Sequence, residues 1–301
     1  PLNMLMLPAV LVQGGHHLSD VFGGLVAFAI ICAVSGRLLQ WLSAKERMER
    51  TAEAAGQAIL HIRAAGCITE TKPDASPVTA ADREAERIIV ESLAAAFPAI
   101  PYIAEEACSE GLSGCATHDG FFLIDPLDGT REFVAGRDEF TVNIAYVVDG
   151  RPVVGMVHVP ATGESFGGLP GTALKWRAGA PSPEAIAARH PPEGGMTALV
   201  SRSHRTPQTD AYLEGRKPAE IVPMGSSLKF CRIAEGAADL YPCLGTTMEW
   251  DTAAAEAVLV GAGGHVETLE GRSLRYGKHA DIGRRGFANP PFVAYGASPS
   301  A

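Results

Sequence analysis

The chain has 301 residues, 47% hydrophobic and 20% charged, enough apolar material for a substantial core and unlike a disordered chain. Its 34 acidic and 25 basic residues leave a net charge of −9, which excludes broad nucleic-acid binding because that needs a basic footprint. A phosphorylated small substrate stays open, since bound cations can invert the field at one site.

Val21 to Val34 is uninterrupted apolar sequence, too short for a spanning helix of roughly 20 residues. It has no basic region before it and no clear small-residue cleavage site after it, so a signal peptide fits poorly. A weak membrane anchor, an additional buried helix and sequence upstream of the true start all stay open. Residues 1–44 are read as an appended segment that carries none of the chemistry. Cysteines at 32, 67, 108, 115, 231 and 243 form no C-x-x-C pair and no Cys/His cluster of zinc spacing, which fits reduced thiols.

Ala44 to Ala65 reads as an amphipathic helix closed by Gly66, and Lys72 to Thr79 as a loop. Ala80 to Phe97 is a second helix ended by Pro98. Short strands follow at Tyr102–Ala104 and Phe121–Ile124. A hairpin over Phe140–Val148 and Pro152–Val159 turns at Asp149-Gly150. Thr172 to Pro192, rich in Ala, Pro and Gly, is expected to be surface loop. Beyond it strands (198–200, 220–222, 238–241) alternate with helices (208–214, 227–235, 252–262), the signature of a three-layer α/β arrangement.

The densest chemical signal is Asp125-Pro126-Leu127-Asp128-Gly129-Thr130 at the end of an apolar strand. Two carboxylates, a carbonyl and a hydroxyl within six residues suit a hard cation such as Mg²⁺, which takes oxygen ligands. Glu105-Glu106 end another strand, Asp251 follows Trp250 at a helix start, and Asp82 lies in a first helical turn. Taken singly, each has an ordinary explanation: a solvated turn, a surface acid, an N-cap, a dipole-matched acid.

Together, in this order, Glu105-Glu106, the Asp125–Thr130 run, Trp250-Asp251 and the Asp74–Asp82 loop resemble the signature motifs of the inositol monophosphatase superfamily, over about residues 45 to 295. Arg131-Glu132-Phe133, the Glu139–Ala145 run, Ser201–His204 and Gly225–Phe230 are similar to its bisphosphate nucleotidase branch, with Arg131 where Lys is usual. Two departures stand out: Cys243 where the branch commonly has Arg, and Ala255 in place of glycine. The first puts substrate affinity in doubt, because a thiol offers no planar cationic fork.

The resemblance implies a mixed α+β and α/β sugar-phosphatase fold, a layered αβαβα sandwich of two domains (45–175 and 176–301). It implies two or three Mg²⁺ ions. Glu105, Asp125 and the Leu127 carbonyl would hold one, and Asp125, Asp128 and Asp251 a second. Asp82 and Thr130 would be the catalytic carboxylate–hydroxyl pair. Glu105, Gly129, Thr130, His204, Ser226, Lys229 and Asp251 would contact substrate. The implied reaction is lithium-sensitive hydrolysis of 3'-phosphoadenosine 5'-phosphate to AMP and phosphate, a clearing step for sulfate assimilation. The partner would be a small phosphorylated nucleotide and not nucleic acid, and the protein a cytoplasmic monomer or homodimer. Peripheral attachment at the inner membrane is open and not required. An inositol-phosphate, histidinol-phosphate or fructose-bisphosphate phosphatase, a non-catalytic nucleotide sensor and a membrane-tethered scaffold are the competing readings.

Overall fold

Helical spacing of apolar residues, strand alternation and their turn signals build the elements of the structure, a computed structural model that describes residues 43–66, 69–71, 77–110, 120–177, 180, 182–278 and 286–297. The apolar segment Val21–Val34 lies outside them. Helix α1 spans 43–65 and ends at Gly66, whose φ of +86° is the left-handed closure glycine favours. Strands β1 (Thr69–Thr71) and β2 (Pro77–Thr79) pair antiparallel, so the end of the expected loop is a strand. Helix α2 (Ala80–Ala96) starts at a capping box in which the Thr79 side chain accepts from the Ala81 N–H and Asp82 accepts from the Thr79 N–H. No helix among the described residues is long and apolar enough to cross a membrane.

The first sheet has seven strands in sequence order: β3 (Tyr102–Ala104), β4 (Gly120–Asp128), β5 (Thr141–Val148), β6 (Arg151–Val159), β7 (Glu164–Leu169), β8 (Thr172–Arg177) and β9 (Glu184–Ala185). Only β3 and β4 are parallel, and the short helices α3 (Glu105–Ser109) and α4 (Thr130–Val134) start where those strands end. The β5–β6 turn has positive φ at both Asp149 and Gly150, as a two-residue hairpin of right-handed twist requires. The expectation of surface loop over Thr172–Pro192 is corrected by β8 and β9. Ala173 and Trp176 of β8 are buried, while Lys175 and Arg177 are drawn to the almost fully buried Glu164 of β7. Burial alone would raise the pKa of Glu164, but Arg232, Lys175 and Arg177 hold it well below the usual carboxylate range.

The second sheet is mixed, in the order β11 (Glu220–Met224), β10 (Thr197–Ser201), β12 (Leu240–Cys243), β14 (Phe292–Tyr295), β13 (His265–Thr268). Helix α5 (Pro207–Arg216) covers its outer face, where Leu213 packs on Ala198, Val200, Leu240 and Val293. Helices α6 (Leu228–Ala234) and α7 (Glu249–Gly261) fill the space between the sheets with one continuous apolar core. With α1 and α2 on the far side of the first sheet, joined by Thr51 and Ser92, the layers run αβαβα. This matches the expected sandwich.

Helix α7 lies unusually close to the first sheet because β6 and β7 present glycine to it. A Cβ on Gly155 would sit 2.1 Å from the Ala254 carbonyl oxygen, and one on Gly168 2.4 Å from the Ala257 backbone. On the opposite face, His158 packs against Gly56 of α1 and its Nδ1 hydrogen-bonds the Ser165 hydroxyl at 2.8 Å. Burial lowers the pKa of His158 to about 4.

Gly155→Ala is expected to destabilise the protein by about 3 kcal/mol or more, because the obstruction is helix backbone that cannot rotate away; urea unfolding measures it. The neutral His158 contributes stability that is complete above its unfolded pKa of 6.5 and is lost as pH falls through about 4. The depression corresponds to roughly 3 kcal/mol. His158→Gln should therefore flatten the fall in Tm between pH 7 and pH 4.5 relative to wild type.

Candidate active site

Strand β4 breaks its register with β5 between Asp125 and Asp128, because Pro126 has no N–H to continue the ladder. Asp125 folds back to accept from the Leu127 N–H at 3.0 Å. Gly129, at φ +89°, then turns the chain tightly, and a Cβ there would lie 2.9 Å from the Glu139 carbonyl. Parallel pairing of Ala104 with Ile124 carries Glu105 to the same edge. Both oxygens of Glu86 take up the Glu106 and Ala107 N–H groups at the start of α3, at 2.8 and 2.9 Å, and Glu105 lines the cleft.

From the other half of the chain, α7 delivers Asp251 in its first turn, where Oδ2 accepts from the Met248 N–H at 2.7 Å. Ligand oxygens of Asp125, Asp128 and Asp251 lie within 4.8 Å of one another. Like charges this close oppose ionisation. Burial first, then Glu132 and Glu105, push Asp128 up to about 6, while Lys229 and the Ser227 N–H pull the other way. Asp251 is driven well above the carboxylate range by burial, Asp128 and Glu105. A desolvated, all-oxygen group of this kind fits a hard divalent cation, which would relieve the repulsion that the protein itself leaves.

Asp82 and Thr130 also meet. The Thr130 hydroxyl lies 3.1 Å from both Asp82 Oδ1 and the Leu127 carbonyl, and Asp82 Oδ2 is fixed by the N–H and hydroxyl of Thr79. His204, Ser226 and Lys229 line the same cleft of about 400 Å³ as the carboxylates. Ser226 holds a left-handed φ of +51°, and its turn is tied to the first sheet through the Ser227 N–H on Asp128 and the Ser227 hydroxyl on Asn143. The Lys229 ammonium donates to the Ser226 and Met224 carbonyls and lies 4.8 Å over the Tyr241 ring. Its first role is thus to hold that turn, with one donor left. Cys243 lines the cleft but is only 8% exposed.

The structure adds lining residues that sequence reasoning did not assign to the site: Arg131, Arg205 and Tyr241. Arg131 could have been found from its place beside Thr130. It lies near enough to His204 that its charge, after desolvation, lowers the His204 pKa. Arg205 is held by Asp210 and Arg202 by a bidentate pair with Glu139, contacts that no local pattern announces.

The sequence model of the inositol monophosphatase family matches residues 43–291. The 3'(2'),5'-bisphosphate nucleotidase CysQ of Salmonella typhimurium is 38% identical over 250 residues, covering 82% of this chain and 97% of that protein. CysQ of Escherichia coli K12 is 38% identical over 222 residues, 74% of this chain and 86% of the other. Among solved structures, CysQ from Bacteroides thetaiotaomicron superposes with a TM-score of 0.72 at 33% identity, covering 87% of this chain and all of that one. A Thermotoga maritima IMPase, at 24% identity and a TM-score of 0.65 over 82% of this chain and 89% of its own, shares the fold. With the layered fold, the carboxylate cluster and these matches in agreement, the chain belongs to the inositol monophosphatase family.

Proposed function

We propose that the protein is a Mg²⁺-dependent 3'(2'),5'-bisphosphate nucleotidase that hydrolyses 3'-phosphoadenosine 5'-phosphate to AMP and phosphate. The observation that carries this reading is one cleft lined both by the clustered Asp125, Asp128 and Asp251 with Glu105 and by the cationic or donor side chains of Arg131, His204 and Arg205. The identity to bisphosphate nucleotidases over most of the chain supports the same substrate.

Glu105, Asp125 and the Leu127 carbonyl would hold one Mg²⁺, and Asp125, Asp128 and Asp251 another. Bound Mg²⁺ supplies Lewis acidity, which lowers the pKa of water and offsets charge on the phosphoryl oxygens. In the hydrolysis a water oxygen bonds to the 3'-phosphorus, the P–O3' bond breaks, and O3' takes a proton from solvent water as AMP leaves. The Thr130 hydroxyl, bonded to Asp82, is placed to pass a proton from that water to the buried Asp82 carboxylate. Gly129 and Thr130 present backbone to the phosphate at the start of α4. Ser226 and His204 would orient the nucleoside portion, with Lys229 holding their wall of the cleft.

Phosphate release from 3'-phosphoadenosine 5'-phosphate and from inositol 1-phosphate, each with and without Mg²⁺, tests the assignment. Turnover should require Mg²⁺ and favour the nucleotide, and a preference for inositol 1-phosphate would replace it with a broader phosphatase reading. Asp125→Asn should cut kcat to less than about a tenth of wild type with an unchanged circular dichroism spectrum, since the variant loses the carboxylate assigned to both ions. Arg131→Gln should raise KM for 3'-phosphoadenosine 5'-phosphate about tenfold while leaving KM for 3'-AMP within twofold, because a charge-assisted bond to the second phosphate contributes about 1.5–3 kcal/mol. Michaelis curves on both substrates separate that result from a general loss of activity.

A further inference from the structure

Met248 stands at the N-cap of helix α7, a residue with no side-chain oxygen to cap it. The turn before it is instead held by a distant part of the chain. Ala288 bridges Met248, and Asn289, only 8% exposed, closes on the same turn. The Asn289 N–H donates to the Thr247 carbonyl at 2.9 Å. Its side-chain Nδ2 donates to the Met248 carbonyl at 2.7 Å and to the Thr252 hydroxyl at 3.0 Å, with the Thr247 hydroxyl at 3.3 Å. The same Met248 supplies, through its N–H, the 2.7 Å bond that orients Asp251. Thr252 passes the network on to the Tyr276 hydroxyl at 3.2 Å, and Tyr276 donates to the buried Glu256. One carboxamide therefore grips both neighbours of the Asp251 turn, one through a carbonyl and one through a hydroxyl.

We infer that Asn289 is a positioning residue for Asp251, and that its carboxamide sets how tightly the carboxylate cluster binds divalent cation. The inference rests on the reading of Asp251 as a metal ligand. Removing the carboxamide takes the shortest donor from the Met248 carbonyl, which keeps the longer 3.2 Å bond from the Asp251 N–H, and takes one partner from the buried Thr252 hydroxyl. The turn must then shift to find other partners, and the Met248 N–H that aims Asp251 Oδ2 shifts with it. Partners one layer behind a metal ligand commonly alter affinity by 10- to 100-fold when removed.

The experiment measures the rise in Tm of the full chain with Mg²⁺ alone, and the Mg²⁺ concentration for half-maximal turnover, for wild type, Asp251→Asn, Asn289→Ala and Ile59→Val. Ile59 lies in the core of α1, which contributes nothing to the cleft, and so controls for lost stability alone. Asn289→Ala should weaken Mg²⁺ about tenfold or more by both measures, with kcat largely restored at saturating Mg²⁺ and substrate KM unchanged. Ile59→Val should lower Tm without moving Mg²⁺ affinity. If Asn289→Ala binds Mg²⁺ within twofold of wild type while Asp251→Asn does not, the positioning role is overturned and the metal reading stands. If Asp251→Asn also binds Mg²⁺ like wild type, the metal reading falls with it. Should Asn289→Ala fail to fold, Asn289→Leu carries the same comparison, since it keeps the approximate volume and the backbone bond to Thr247, adds no charge and removes the donor.

Discussion

The contact between helix α7 and the glycine-bare face of β6 and β7 is the constraint on which the other features hang. Gly155 and Gly168 let helix backbone rest on strand backbone, with the small Ala257 methyl beside the contact. That closeness fixes the height of α7 over the first sheet, and with it the height of Asp251 over Asp125 and Asp128 at the end of β4. A helix held a few ångströms further out would bury the same apolar face yet separate the carboxylates. Alanines 253, 254, 255 and 257 serve the same end, since small side chains along α7 let both sheets approach it. Ala255, a departure from the glycine of related motifs, is fully buried and accommodated there.

The second half of the chain reaches the site through turns that are pinned to the first. Glu139 takes the Gly225 N–H at 2.8 Å and grips Arg202 with both oxygens. Glu132 accepts from the Ser203 hydroxyl, and Asp128 from the Ser227 N–H. Acids flanking the metal-site motif thus do mechanical duty, holding the loops that bring His204 and Ser226 to the cleft. Hydrogen bonds to charged acceptors, one of them the buried Glu132, are costly to lose, which keeps these loops in one arrangement.

The electrostatic character of the site follows from that geometry. Elsewhere in the molecule buried acids find partners: Glu164 has three cations, and Glu249 has Lys278 and the Gly277 N–H. Asp125, Asp128 and Asp251 instead face each other, with backbone N–H groups on their oxygens and a lysine nearby whose ammonium is turned to carbonyls. The fold therefore holds carboxylates so close that each opposes the ionisation of the next, a repulsion that a bound divalent cation would relieve.

Much of this was legible in the sequence. Helices α1 and α2 showed their apolar period, the β5–β6 hairpin its Asp-Gly turn, and the Asp125–Thr130 run its oxygen-ligand chemistry, because each is a local pattern written in neighbouring residues. Strands β7 and β8 were not. Gly167 and Gly168 have little strand propensity of their own, and Lys175 and Arg177 look like solvent-facing loop until Glu164 is placed beside them. The sequence likewise placed Asp251 at a helix start, where taken singly it reads as a capping residue and through the family resemblance as a metal ligand. Tertiary structure alone decided that the helix starts earlier, that Met248 aims the carboxylate, and that Asn289 from the far end of the chain holds Met248. The last is a bond between residues distant in sequence, and nothing in the local run of either segment records the distance at which they meet.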